Sequence, residues 1–377
     1  MRMSERILCF GFNTKFQKEL IDAWTSELDV TKVDLVLLSS KSCPNVEQHA
    51  DTAIESARRI PASLVGEKLK LRFLRLQYNW IYQQLEKSLP DRVLIYNGLN
   101  GVNYLVSAAC KELEVPQLYF ERAPLQDRVQ IDANGVNFQS SIPTDIEFYR
   151  NLAEDEFADY SGADYVNAHL VTDEPTRAGD PRGTEDLRSK SYVFCPLQVP
   201  RDTQVTVFGG WIKSIPHLLD SLNTASKQLP DDVHLRIKQH PSSPVSFEQR
   251  IESYDNPKIV LDNEHDVYDL VAHSQGVVTI NSSVGLEAFL FEKPVVTIGR
   301  ALYSFGDMAT RATDVDSLCE AMATFPSLNW SRLERDRFVK FLFFWFPPMQ
   351  AVLSRKYTPK DMQLRDQKFR SLIASDR

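Results

Sequence analysis

Residues 279–303 read TINSSVGLEAFLFEKPVVTIGRALY, and the punctuation of this stretch decides the fold. An apolar run, Gly276 to Ile280, stops at three small polar residues, Asn281, Ser282 and Ser283. A helix-like segment follows, and Pro294 then opens a second β-branched run, Val295 to Ile298. Strand, helix and strand in succession are one unit of a parallel α/β sheet. Ser and Asn at the junction are preferred helix caps. The same junction is also a seat for phosphate, because a helix N-terminus offers unpaired N–H groups and the positive end of a dipole. The cap alone accounts for the residues; whether they also hold a ligand depends on the rest of the chain.

Working outward, the same rhythm recurs twice. In the first half, strands read at residues 6–11, 33–40, 92–98 and 117–121. Helical spacing of apolar residues appears over 14–27, 69–89 and 102–113. Around 151–189 periodicity gives way to acidic, Gly- and Pro-bearing sequence, which reads as a linker or mobile loop. The alternation restarts with strands at 191–198, 233–241 and 258–261, and with helices over 211–229, near Ser246 and over 267–272. The expectation is an α/β chain of GT-B-like architecture, two Rossmann-type domains facing a central crevice at their strand C-termini. Its parts are residues 1–150, a linker, 190–335, and a helical segment 336–377 packing across the domains. FVKFLFFWFPP within that last segment reads as packed core, since aromatics contribute much core energy.

The bulk numbers narrow the function classes. A chain of 377 residues with 43% hydrophobic and 25% charged residues has material for two cores. Its net charge of −8 argues against nucleic acid as a partner. The five cysteines are scattered, with no C-x-x-C pair, as in a cytoplasmic protein with reduced thiols. No signal peptide reads at the N-terminus, and no run is long enough to cross a bilayer. A peripheral contact with the inner face of the cytoplasmic membrane stays open.

Four constellations fall at predicted strand ends. RIKQHP places Lys238, His240 and Pro241 just past a strand, where a cation and an imidazole suit a phosphate leaving group. The Asn281-Ser282-Ser283 cap has Glu287 about one turn behind it, in reach of a ribose or equally an ordinary solvated helix residue. CPLQVPRD offers Gln198 and Asp202 for a base or sugar edge. YFERAPLQDRVQIDANGVN ends a strand of the first half with Glu121 and Arg122, followed by Asp127 and Asp132. A carboxylate there suits a nucleophile or general base in glycosyl transfer, although Asp132 also lies in a D-x-N-G turn. Upstream, YNGLNG adds Asn97 and Asn100 for sugar or acceptor hydroxyls. No metal-ligating cluster reads in the sequence, so no metal or other cofactor is expected.

Taken in order, PLQ-x-x-x-D, K-x-HP and N-S-S-x-G-x-E-A followed by K-P-V-V-x-x-G-R-A-x-Y resemble the bacterial capsule polysaccharide biosynthesis family, the Kdo transferases of capsule and O-antigen type. The likeness is strongest over about 190–305 and weaker over 92–143. It implies a glycosyltransferase with CMP-Kdo as nucleotide-sugar donor and a saccharide or lipid-linked acceptor, and contact with a polysaccharide-assembly machinery. It further implies that Lys238, His240, Ser282 and Ser283 hold the nucleotide phosphate and that a first-half carboxylate retains the anomeric configuration. The chain has Glu121-Arg122-Ala123 where the better-known form of the motif has Glu-Asp-Gly, which leaves the nucleophile open among Glu121, Asp132 and Asp127. Other nucleotide donors (CMP-sialic acid, a UDP-sugar, CDP-glycerol) and a non-catalytic scaffold are the competing readings.

Overall fold

A computed structural model describes residues 5–33, 36–153, 155–157, 159–160 and 186–375. The chain divides into two compact units. One comprises Met1–Ala123, Asp127–Ile142 and Trp345–Arg377; the other comprises Pro124–Gln126 and Pro143–Phe344. Most of the linker-like stretch, residues 161–185, lies outside the described residues.

The first unit holds β1 (Ile7–Phe10), β2 (Val30–Val33), β3 (Arg92–Tyr96), β4 (Gln117–Arg122) and β5 (Val129–Asp132) in the order β2-β1-β3-β4-β5. The first four are parallel, and β5 returns antiparallel to β4. This is a doubly wound order whose reversal falls between β1 and β3. Helix Lys15–Trp24 starts at a capping box: Thr14 accepts from the Gln17 amide while Gln17 accepts from the Thr14 amide. Helices Val46–Glu55, Leu64–Ser88 and Gly101–Glu112 complete the layer set.

Two sequence expectations are corrected here. The apolar run 33–40 reads as a strand, yet β2 is Val30–Val33, paired residue for residue with β1 from Ile7 to Phe10. β1 ends at Phe10, before Gly11 at φ +84°, and residues 36–40 form no strand; residues 34 and 35 lie outside the described residues. Leu37 and Leu38 are half exposed, and the Ser39 amide bonds to the Leu76 carbonyl of the long helix. Second, D-x-N-G is not a simple hairpin turn. It ends β5, where the Asp132 carboxylate gathers the loop that follows.

The second unit holds β6 (Ser191–Pro196), β7 (Val233–Lys238), β8 (Ile259–Leu261), β9 (Gly276–Thr279), β10 (Val295–Thr297) and β11 (Thr310–Arg311). The order is β8-β7-β6-β9-β10-β11, all parallel. Numbered from β6, this is the 3-2-1-4-5-6 arrangement of dinucleotide-binding sheets, reversing between β6 and β9. Every residue of β7 is buried, His234, Arg236 and Lys238 included. Leu219, Leu222, Leu235, Ile237, Val278 and Phe325 anchor the core against helices Ile215–Ser226 and Val315–Ala323.

The aromatic C-terminal segment is core, as its composition predicts. Phe338, Phe341, Phe343, Trp345 and Phe346 are all buried. The division between units runs through this segment at Phe344 and Trp345. In the first unit, Arg365 of helix Pro359–Ser375 stacks over the Trp345 ring and donates to the carbonyls of Ile131 and Trp345. That ties the chain's end to β5.

Candidate functional site

At the second unit's reversal point, Gln198 just past β6 donates through Nε2 to Asn281 Oδ1 just past β9, at 2.8 Å. Asn281 in turn donates to the carbonyls of Gln204 and Phe208, at 2.9 and 3.1 Å. Its side chain is therefore a brace that fixes the distance between two strand ends, not a group turned toward a ligand. Ser282 caps helix Ser283–Leu290, with Oγ accepting from the Val284 amide. Gly285 has a steric cause: a Cβ there would lie 2.3 Å from the Tyr303 hydroxyl, which donates to the Ser282 carbonyl at 2.6 Å. Tyr303 thus holds the helix start in place, and only glycine leaves room for it.

Lys238 closes β7. Its ammonium is held by the carbonyls of His265 and Asn263, at 2.7 and 3.3 Å. That loop is shaped by Asp262, which accepts the amides of Glu264 and His265 and pairs with Arg236. Burial pushes the Asp262 carboxyl up, but the His265 amide, the Arg236 guanidinium and the His265 ring outweigh it, and its pKa lies below the ordinary value. His240 accepts the Ser242 amide at Nδ1, which leaves the ring proton of the neutral form on Nε2. Gln198, Lys238, His240, Pro241 and Ser282 all line one cavity of about 40 Å³. That is room for roughly three waters.

Three other predicted residues take different places. Ser283 is the first residue of the capped helix and half-buried. Asp202 caps the short helix Thr203–Thr206, accepting from the Gln204 amide. Glu287 is not a solvated residue: it is 2% exposed and accepts from the Tyr268 hydroxyl at 3.1 Å. Its charge, with burial as the larger cause, raises the Tyr303 pKa.

In the first unit the carboxyl edge presents Glu121. Its Oε1 accepts the Tyr96 hydroxyl at 2.8 Å and its own neighbour's amide, Arg122 N–H, at 2.9 Å. Its Oε2 accepts Asn97 Nδ2 at 2.6 Å. Burial raises the Glu121 pKa; these three donors and the nearby Arg58 charge oppose the rise without cancelling it. Tyr96 is pushed above its ordinary value too, by burial and then by the Glu121 charge. Asn97 is buried in the left-handed region (φ 65°), with Oδ1 accepting the Leu99 amide.

Arg122 is exposed and lies over the Phe16 ring at 4.5 Å. Asn100 begins helix Gly101–Glu112 without a side-chain cap bond. Asp127 is exposed in a left-handed turn. Asp132 is fully buried, and its two oxygens accept from the amides of Asn134, Gly135 and Ser141, the Ser141 hydroxyl and Trp345 Nε1. Sequence reasoning missed Tyr96 and Arg58; Tyr96 immediately precedes Asn97 at the same strand end, which was the available signal.

Among the described residues, no three or more His, Cys, Asp or Glu side chains cluster as metal ligands. No helix among them is long and apolar enough to cross a membrane.

Comparison with known proteins gives partial sequence matches and a shared fold. Residues 156–317 match the sequence model of the family described as capsule polysaccharide biosynthesis protein. Protein FixF of Sinorhizobium fredii is 29% identical over 291 residues, 77% of this chain and 65% of that protein. The match therefore spans just under two thirds of that relative. The capsule polysaccharide export protein KpsS of Escherichia coli is 22% identical over 56% of this chain and 68% of its own length. Among solved structures, the β-Kdo 2,4 transferase of KpsC from Thermosulfurimonas dismutans superposes with a TM-score of 0.56 at 14% identity, covering 90% of this chain and 91% of that one. The sequence matches bear out the resemblance to the capsule polysaccharide biosynthesis family, and the structural match bears out the two-Rossmann fold.

Proposed function

We propose that this chain is a glycosyltransferase of polysaccharide synthesis that takes Kdo from CMP-Kdo and retains its anomeric configuration. The observation that carries the reading is the convergence of Gln198, Lys238, His240 and Ser282 on one small cavity at the reversal point of a 3-2-1-4-5-6 sheet. The capsule-family match and the fold shared with a β-Kdo transferase support the choice of donor. In this reading the second unit binds CMP, with Lys238, His240 Nε2–H and the N-terminus of helix Ser283–Leu290 facing the phosphate.

The first unit contributes Glu121 as nucleophile. Its carboxylate attacks the anomeric carbon as the bond to the phosphate oxygen breaks, and CMP leaves with the electron pair. The acceptor hydroxyl then displaces Glu121 and gives its proton to a base. Asp132 is set aside as nucleophile because its oxygens are already saturated by structural donors, and Asp127 because it sits exposed in a turn. Asn97 and Tyr96 position Glu121, while Asn100 and Arg122 remain candidates for acceptor or sugar contacts. Charge on the leaving phosphate is met by side chains and a helix end, so the proposal includes turnover without a metal.

The test is NMR of the product formed from CMP-Kdo and a saccharide or lipid-linked acceptor, with and without EDTA. A β-Kdo product formed equally well in EDTA is expected. An inverted anomer contradicts the nucleophile, and loss of turnover restored by magnesium or manganese contradicts the metal-free step.

A further inference from the structure

Helix Leu64–Ser88 is 25 residues long, about 37 Å at 1.5 Å per residue, and leads directly into β3. β3 has five residues, about 17 Å. Trp80 and Ser88, in the helix's last turns, line one cavity with Leu8, Phe10 and Val33 of the sheet, so its N-terminal half overhangs them. Burial follows this geometry: the buried residues of the helix begin at Leu74. On the overhang Val65, Leu69 and Phe73, four residues apart and hence on one face, are 70%, 61% and 47% exposed. Leu37 and Leu38 are half exposed beside the same helix, held there by the Ser39–Leu76 bond. Exposed large apolar side chains in a row along one helix face are uncommon on a soluble surface.

The charge around it is equally local. Residues 58–75 carry Arg58, Arg59, Lys68, Lys70, Arg72 and Arg75 against the single acid Glu67, in a chain whose net charge is −8. Lys68 and Arg72, again four apart, are exposed on the face adjoining the apolar stripe. An apolar stripe bordered by Lys and Arg is what a helix lying in an anionic lipid surface presents, its apolar side chains entering the acyl boundary while the cations meet headgroups. Protein interfaces, by contrast, are depleted in lysine.

The geometry points to the N-terminal half of helix Leu64–Ser88, with Leu37 and Leu38, as a docking surface for an anionic lipid bilayer. The surface goes beyond the proposed chemistry and does not depend on which donor is used. The test is co-sedimentation of the full chain with phosphatidylcholine vesicles, with and without about one-third phosphatidylglycerol, for wild type, Leu69→Glu/Phe73→Glu and Lys68→Glu/Arg72→Glu. Wild type should partition onto the phosphatidylglycerol vesicles and be released by about half-molar salt. Each double variant should lose about tenfold or more of that partition, with melting temperature and CMP affinity unchanged. No phosphatidylglycerol-dependent binding, or equal binding by all three proteins, overturns the proposal. So does a wild-type dimer that Leu69→Glu/Phe73→Glu makes monomeric while vesicles go unbound, which would make the face a contact between copies.

Discussion

The carboxyl edges of the two sheets are built for opposite charges. In the second unit the edge gathers a lysine, a histidine and a capped helix N-terminus, groups whose chemistry suits an anion. A buried carboxylate of the capped helix, Glu287, accepts a tyrosine hydroxyl. In the first unit the edge holds a carboxylate under neutral donors, Tyr96, Asn97 and a backbone amide. These donors aim the Glu121 oxygens and pull its pKa down, but burial raises it by more, so the carboxylate stays above its ordinary basicity. On the proposed function, one edge binds a charge and the other keeps one reactive.

The largest effect expected from that contrast is on turnover. Glu121→Gln keeps the shape of the side chain and removes the nucleophile, so turnover should fall at least about a thousandfold. Steady-state assay of this variant beside Asp132→Asn separates the two carboxylates, because Asp132→Asn should act mainly on stability. Normal turnover in Glu121→Gln would erase the distinction between the edges.

Next comes the brace. Asn281→Ala strands the carbonyls of Gln204 and Phe208 and frees Gln198, and should destabilise the second unit by about 2–4 kcal/mol. Urea unfolding followed by tryptophan fluorescence reads this as an earlier transition. An unchanged midpoint would mean that the strand ends hold themselves.

The phosphate seat should show a somewhat smaller effect. Ser282→Ala/Ser283→Ala removes the cap oxygen and should cost about 1.5–3 kcal/mol of CMP binding, roughly 10- to 150-fold in affinity. Thermal-shift titration with CMP measures it, and unaltered affinity would reduce the junction to a cap alone.

The smallest effect concerns pH. A carboxyl whose folded pKa is raised contributes stability that is fully present below its unfolded pKa and lost as pH rises through the folded value. Wild type should therefore lose ground to Glu121→Gln between about pH 4.3, the unfolded value, and neutrality. Melting curves across that range should show the variant's relative advantage growing with pH. A constant difference would mean that Glu121 is not strained by burial.

Much of this was legible in the sequence, and the failures have definite causes. Apolar runs bounded by Gly, Pro or small polar residues gave β1, β3, β4 and the strands from β6 to β10, because strands buried on both faces read as continuous hydrophobic segments. The run 33–40 carries the same signal, but its described residues pair with β1 only at Val33, and strand register is not written in composition. Lys238, His240, Gln198 and Ser282 were found as separate strand-end residues, and the structure brings them to one cavity. The roles of Asn281 and Asp132 depend on Gln204 and Trp345, each distant enough in sequence that no local motif names the pair.

The central claim is that binding of the nucleotide and supply of the reactive carboxylate belong to different edges. Calorimetric titration of CMP into wild type, His240→Ala and Glu121→Gln tests it most directly. The account predicts that Glu121→Gln binds CMP with wild-type affinity while His240→Ala binds at least about tenfold more weakly. Wild-type affinity in His240→Ala, or loss of CMP binding in Glu121→Gln, would contradict it.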